Sequence, residues 1–227
     1  VARTRDGSDK KADITFDASL AFNPKSTLIA YTRKGGITRN IVAPNGGEKL
    51  FAGQSFVVDL SGDFTSVIEK QNAVLVYLGA ESKGSRAQRL QALDHKFADV
   101  KKALEKKEEQ KEEQKEDKKG NKKNNQEKDK KAAKEPKRDE LVIHALLAGE
   151  KPLLAYADRA TDLLALLALK KKYGVDIVLV GASDAILVAD KIAEAKVPVI
   201  LSSIENLPSS FDSLHVSLTN MAKLVKA

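Results

Sequence analysis

The chain has 227 residues, no cysteine and a formal net charge of +7. The lack of cysteine excludes disulfides and cysteine-ligated metals, and no apolar run approaches the ~18–20 residues that a membrane-spanning helix needs. No charged segment followed by an apolar one opens the chain, so no secretory signal is predicted. Because the chain begins with Val1, this observation does not choose between cytoplasm and periplasm.

The first part of the chain alternates short apolar runs with turn residues. Strands are predicted at 37–43, 55–60 and 73–78, and the polar run 67–72 is predicted to be a short helical connection. Ser85 is the predicted cap of a long helix, because an apolar stripe at helical spacing follows it. The stripe consists of Leu90, Leu93, Phe97, Val100 and Leu104.

A Lys/Glu-rich tract, residues 101–138, interrupts the domain. It holds 15 lysines and one arginine against ten acidic residues, and therefore six of the seven excess positive charges. Residues 105–131 include no apolar side chain, so burial cannot offset the entropy cost of ordering them. A solvated helical extension followed by a disordered loop is predicted. Binding of nucleic acid or of an acidic surface is the alternative, which the ten acids and the absence of aromatic residues disfavour.

The stretch 151–202 organises the rest of the chain. Its apolar runs at 152–156, 177–181 and 197–202 alternate with two segments of helical period, which predicts parallel strands joined by crossover helices. Asp158 and Ser183 are the predicted helix caps, and Gly174 is the predicted glycine after the first helix. A last helix is predicted to begin at Ser209 and Ser210, with an apolar face from Phe211 to Val225.

Candidate site residues follow from the rule that chemistry collects at the carboxyl ends of parallel strands. Asp158, Arg159 and Asp184 are the candidate catalytic residues, and Asp162 and Glu205 lie at the same edge. The alternative for the two aspartates is a capping role at a helix N-terminus. The three histidines are all predicted on helices and without the spacing of a zinc pair. Gly181 lies in a turn that lacks a nucleotide-binding fingerprint.

Several stretches carry a resemblance to a known family. The most specific are PLLAYADRATDLLALLAL (152–169), VLVGASDAILVADKIAEAKVPVIL (178–201) and ENLPSSFDSL (205–214), and shorter ones include Ala21-Phe22-Asn23-Pro24 and Ser85-Arg86. The combined pattern resembles the amidohydrolase superfamily, on its imidazolonepropionase-like branch. The resemblance implies a (β/α)₈ barrel that hydrolyses carbon–nitrogen bonds, often in cyclic amides. It also implies zinc or another divalent metal at the carboxyl ends of the strands.

The chain departs from that family at the metal positions. Tyr156 and Val180 stand where the resemblance implies ligand histidines, and the HxH motif of the family's first strand has no counterpart. No metal ligand and no cofactor is therefore assigned to this chain. The predicted fold class is α/β, one domain over 1–227: an incomplete TIM-barrel-like fragment of about six parallel strands with crossover helices and the charged insertion.

Three functions are compatible with this interpretation. The first is a section of an amidohydrolase-like hydrolase with its metal ligands missing or replaced. The second is a catalytically inactive paralogue that pairs with an active amidohydrolase, and the third is a nucleic-acid or acidic-surface binder through 101–138. Because open strand edges need cover, the chain is expected to be a piece of a longer protein, to self-associate or pair with a paralogous subunit, or to rearrange into an open sheet.

Overall fold

The fold is described from a computed structural model that covers Gly7, residues 9–78, 84–120 and 137–201, Leu207, Pro208 and residues 210–227. One six-stranded sheet with strand order β1-β2-β3-β4-β5-β6 curls into a half-barrel. Its strands are β1 (Arg39–Val42), β2 (Phe51–Asp59), β3 (Val67–Tyr77), β4 (Leu153–Ala157), β5 (Ile177–Gly181) and β6 (Val199–Leu201). Five of them run in one direction, and β2 runs opposite to its two neighbours.

The first three strands form an antiparallel meander, so the prediction of six parallel strands is wrong for β2. The connection between β2 and β3 is too short for a crossover, which takes about a dozen residues or more, and it therefore forms a hairpin. Ser66 closes the turn. Its backbone N–H donates to the Asp63 carbonyl oxygen, and the Ser66 carbonyl oxygen accepts from the Asp59 N–H (2.9 Å). The predicted helix at 67–72 is the first half of β3, whose polar side chains are exposed.

The parallel part of the sheet, β3 to β6, agrees with the prediction for 151–202. Its two faces belong to different packing clusters. Val76, Ala155 and Leu179 lie on the helix-covered face, inside the main hydrophobic core. Leu75 and Leu154 lie on the second face, where Tyr77, Val178 and Val180 join them. A third cluster, around Phe56, packs under α1.

Six helices flank this sheet within the described residues. They are α1 (Thr27–Lys34), α2 (Arg86–Gly120), α3 (Arg138–Leu147), α4 (Ala160–Tyr173), α5 (Ala189–Glu194) and α6 (Asn220–Lys226). Leu93, Phe97 and Val100 are buried, which confirms the stripe predicted for α2. Gly174 ends α4 at a φ of +75°, and its N–H donates to the Lys170 carbonyl oxygen, as the sequence predicts.

Other helix predictions need correction. The fully buried residues of α4 are Asp162, Leu163, Leu166, Leu169 and Tyr173, and Leu164 and Leu167 are partly buried against the same core. The segment after Ser183 forms a 3-10 turn (Ala185–Leu187) before the short α5. Turns occupy most of 210–219, and α6 begins at Asn220, ten residues after the predicted cap.

The described part of the charged insertion is helical. Helix α2 continues from its buried stripe through to Gly120, as predicted for a helical extension, whereas the loop predicted after it lies at 121–136, outside the described residues. Among the helices described, none is long and apolar enough to cross a membrane.

Candidate functional site

A tight turn follows β5 and packs against the residues that follow β4, and polar side chains gather there. Gly181 and Ala182 both have positive φ, +85° and +51°. A Cβ on Gly181 would lie 2.9 Å from Asp158 Oδ1 and 3.3 Å from the Tyr156 ring, so the close approach and the φ both require glycine. After this turn the Asp184 N–H donates to the Asp158 carbonyl oxygen (2.9 Å), which sets the two aspartates side by side.

Asp158 does not cap a helix. Its Oδ1 accepts hydrogen bonds from Ser183 Oγ (2.8 Å) and the Ser183 N–H (3.3 Å), and the N-cap of α4 is Arg159. Burial raises the pKa of the Asp158 carboxyl above its ordinary value, against the hydrogen bonds from Ser183, and the charges of Asp212 and Asp184 add to the increase. Ser183, predicted as a cap, serves as the donor that fixes this carboxyl.

Asp184 holds two segments together. Its Oδ2 accepts from the Ala160 N–H (3.2 Å) in the first turn of α4, so it satisfies a helix N-terminus that is distant in sequence. Its Oδ1 lies 2.8 Å from His215 Nδ1, and the imidazole remains 47% exposed. His215 lies outside any helix, contrary to prediction. Its backbone is held by Asn220 Nδ2, which donates to the His215 carbonyl oxygen (2.8 Å).

Asp212 links the two arginines of the site. Its buried carboxylate pairs with Arg159 Nε at 2.6 Å and with Arg86 Nη2. Desolvation by burial opposes ionisation of the Asp212 carboxyl. The hydrogen bonds and charges of the two arginines outweigh it, so the pKa of this carboxyl is lowered. Arg86 Nε also lies 3.5 Å from Asp162 Oδ2, but neither atom has a hydrogen bond within the described residues. Burial raises the pKa of Asp162 in spite of both arginines.

We call this set the rim network. It consists of Arg86, Asp158, Arg159, Asp162, Ser183, Asp184, Asp212 and His215. The structure brings the three candidate residues Asp158, Arg159 and Asp184 into it, whereas Glu205 lies outside the described residues. Sequence reasoning missed the partners Arg86, Asp212 and His215, which are far from the candidates along the chain. The available signal was that Arg86 and Asp212 both fall within stretches that carry the family resemblance.

The residues next to the rim network do not fit the metal that the resemblance implies. Tyr77, Tyr156, Val180 and Ile200 are register partners across β3 to β6, and together they form one row on the second face. Valine and isoleucine cannot ligate a metal, and the two tyrosine rings contact each other at 5.3 Å between centroids. In the parts of the chain described, no three His, Cys, Asp or Glu residues are grouped to hold a metal ion.

Comparison with known proteins supports the fold. No family model and no curated protein matches the sequence. A crystal structure of an amidohydrolase from Thermotoga maritima is similar to this chain with a TM-score of 0.77 and 20% sequence identity. The similarity covers 97% of this chain and 56% of that protein, so the chain spans little more than half the length of its structural relative. At this identity the comparison supports an amidohydrolase-like fold.

Proposed function

We propose that this chain is the scaffold section of an amidohydrolase-like hydrolase that acts on carbon–nitrogen bonds of small cyclic amides. The shared fold supports the hydrolase class, and the resemblance stated from the sequence supports the imidazolonepropionase-like branch. In this proposal the section supplies the rim of the site and none of the metal ligands. No reaction step is therefore assigned to a metal held by these residues.

The observation that carries the scaffold role is the row Tyr77–Tyr156–Val180–Ile200. It lies near the carboxyl ends of the parallel strands, one register position before the last paired row of β4, β5 and β6, and it places aromatic and aliphatic side chains next to the rim network. Beyond it, each carboxylate of the rim network pairs with a group of the chain itself, through hydrogen bonds for Asp158, Asp184 and Asp212 and an ion pair for Asp162. These contacts fix the geometry of the loops, although the buried Asp162 Oδ2 has no hydrogen bond within the described residues.

Arg159 is the rim residue best placed to meet a substrate. Its side chain is 44% exposed while Nε pairs with Asp212. An anchored, partly exposed guanidinium presents its remaining N–H groups in a fixed direction, which suits an anionic or carbonyl oxygen of a substrate. In this proposal Arg159 orients substrate, and Asp212 positions Arg159.

The test uses the natural full-length form of the protein and the variants Tyr156→Phe and Arg159→Ala, with the exposed Tyr31→Phe as the control. Hydrolysis of lactams, imides and hydantoins is followed by ring opening, and metal content is measured after dialysis. We expect turnover, unchanged metal content in Tyr156→Phe, and an increased KM in Arg159→Ala. Loss of metal in Tyr156→Phe would show that this section does ligate, and the scaffold role would then be wrong.

A second candidate function is the catalytically inactive paralogue that pairs with an active amidohydrolase. The closed ion pairs of the rim network favour it, because a rim built for stability alone needs no free catalytic group. The same experiment separates the two. A full-length protein that neither turns over these amides nor retains metal would contradict the first proposal and support the second.

A further inference from the structure

Asp184 and His215 form a hydrogen-bonded pair within the rim network. Asp184 Oδ1 lies 2.8 Å from His215 Nδ1, and Asp184 Oδ2 accepts from the Ala160 N–H at 3.2 Å. An ionised carboxylate can only accept hydrogen bonds, so Nδ1 is the ring nitrogen that carries the hydrogen. In the neutral imidazole the lone pair is then on Nε2. Asp184 therefore fixes both the orientation and the tautomer of the ring.

The second ring nitrogen of His215 is left for other chemistry. Nε2 has no hydrogen bond within the described residues, and the imidazole remains partly exposed. Of the three histidines, His215 is the one whose ring pairs with a carboxylate in the described parts of the chain. A ring that is held at one nitrogen and open at the other is the arrangement that a proton-transferring histidine needs.

The turn that contains His215 also holds Arg159. Asp212, three residues before His215, pairs with Arg159 Nε at 2.6 Å. The N–H of Ala160, the residue after Arg159, binds the same Asp184 carboxylate that holds the imidazole. The chain and these contacts close a ring, in which the imidazole and the guanidinium belong to neighbouring segments at the start of α4.

We propose that His215 is the proton-transferring residue of the hydrolysis proposed above, with Asp184 as its positioning residue; this inference rests on that proposed function. Nε2 takes a proton from the attacking water while the water oxygen bonds to the amide carbonyl carbon, and the carbonyl π electrons move onto the oxygen that Arg159 orients. When the C–N bond breaks, its electron pair stays on the nitrogen, which receives the proton from Nε2. The net reaction adds one water to the amide and returns the imidazole to its starting state.

The test uses the natural full-length form of the protein and two substitutions of His215. Asparagine places an amide N–H near the position of Nδ1, so His215→Asn keeps a donor for Asp184 and removes Nε2. His215→Ala removes both nitrogens and leaves space for free imidazole. His95→Asn, at an exposed position of α2, is the control. Hydrolysis of lactams, imides and hydantoins gives kcat and KM, and thermal unfolding followed by far-UV circular dichroism checks that the variants fold.

In His215→Asn, kcat should decrease at least about a hundredfold, the lower end of general acid–base catalysis, while KM and Tm stay close to those of the parent. Free imidazole should restore part of the kcat of His215→Ala, and His95→Asn should behave like the parent. A kcat of His215→Asn equal to that of the parent, with or without an increase in KM, would overturn the inference and leave the proposed hydrolysis standing. A parent that hydrolyses none of these amides would contradict the proposed function itself, and the inference with it.

A measurement on the parent alone tests access to Nε2. Diethyl pyrocarbonate acylates an accessible, unprotonated imidazole nitrogen, and mass spectrometry of peptides locates the product. Modification of His215 should proceed at the rate at which activity is lost, and a bound amide should slow both. A His215 that stays unmodified while His95 reacts would show that another part of the protein occupies Nε2, and would overturn the inference.

Discussion

Asp212 is the residue on which the rim network depends most, because one buried carboxylate fixes Arg86 and Arg159 at once. We expect Asp212→Asn to lower the free energy of unfolding by about 2 kcal/mol, the scale of hydrogen bonds to charged groups. Urea denaturation at pH 7 measures this, with the exposed Asp190→Asn as a control expected within about 0.5 kcal/mol of the parent. Equal effects of the two variants would contradict the structural role of Asp212.

The difference in free energy of unfolding between the parent and Asp212→Asn should depend on pH in a definite direction. The pKa of Asp212 is lowered in the folded chain, so its ionised form contributes stability above the unfolded pKa of about 3.9. The contribution disappears as pH falls through the lower, folded pKa. The difference between the parent and Asp212→Asn should therefore be constant from neutral pH down to about pH 4 and decrease below it.

The contribution of Asp158 to stability should depend on pH in the opposite direction. Its pKa is raised by burial, so the folded state retains the proton above pH 3.9, and stability falls as pH rises from there through the folded pKa. Asp158→Asn keeps an oxygen that can accept from Ser183 Oγ and cannot ionise. We expect this variant to melt at or above the parent temperature at pH 7, with an advantage that decreases toward pH 4. A variant less stable than the parent at pH 7 would show that the charge itself is needed.

At the scale of elements, α2 divides into a packed part and an extension. Replacing 105–131 by a short Gly/Ser bridge from Leu104 to Ala132 removes no apolar side chain, so the melting temperature should stay within about 5 °C. Phe97→Ala, in the packed part, is the contrasting variant. Phe97 is fully buried and contacts the Tyr173 ring. Phe97→Ala should therefore lower the free energy of unfolding by about 3–5 kcal/mol. A deletion that destabilises as much as Phe97→Ala would show that the tract packs on the body.

Elements differ in how far the sequence predicts them. Strands β4 to β6 have continuous apolar runs between helical segments, so both their type and their parallel direction follow from local pattern. β3 begins with a polar half whose sequence, VIEKQN, has no strand alternation, and only its pairing with β2 makes it a strand. Only part of the rim network could be predicted from the sequence, for a related reason. Asp158 and Asp184 follow strands, whereas His215 reaches the site through turns that no periodicity predicts.

At the scale of the whole molecule, the single-domain prediction can be tested by unfolding. Phe56 belongs to the small cluster under α1, and Leu179 belongs to the main core, but both lie on the same sheet. Phe56→Ala and Leu179→Ala should each shift one cooperative transition. Because the chain has no tryptophan and four tyrosines, far-UV circular dichroism and tyrosine absorbance are the two probes. Separate transitions for the two probes in either variant would indicate two folding units.

The position of the insertion also has a consequence for the order of folding. About 75 residues separate β3 from β4, whereas about 19 separate β4 from β5. Closing the longer connection costs about 1.2 kcal/mol more chain entropy, if both behave as flexible loops. The unit from β4 to β6 should therefore form early, and β3 should bring its antiparallel meander onto that unit late. Shortening the tract would then lower the entropy cost of the late docking step and of the folded state together, so the docking rate should rise by a factor no larger than the gain in stability allows.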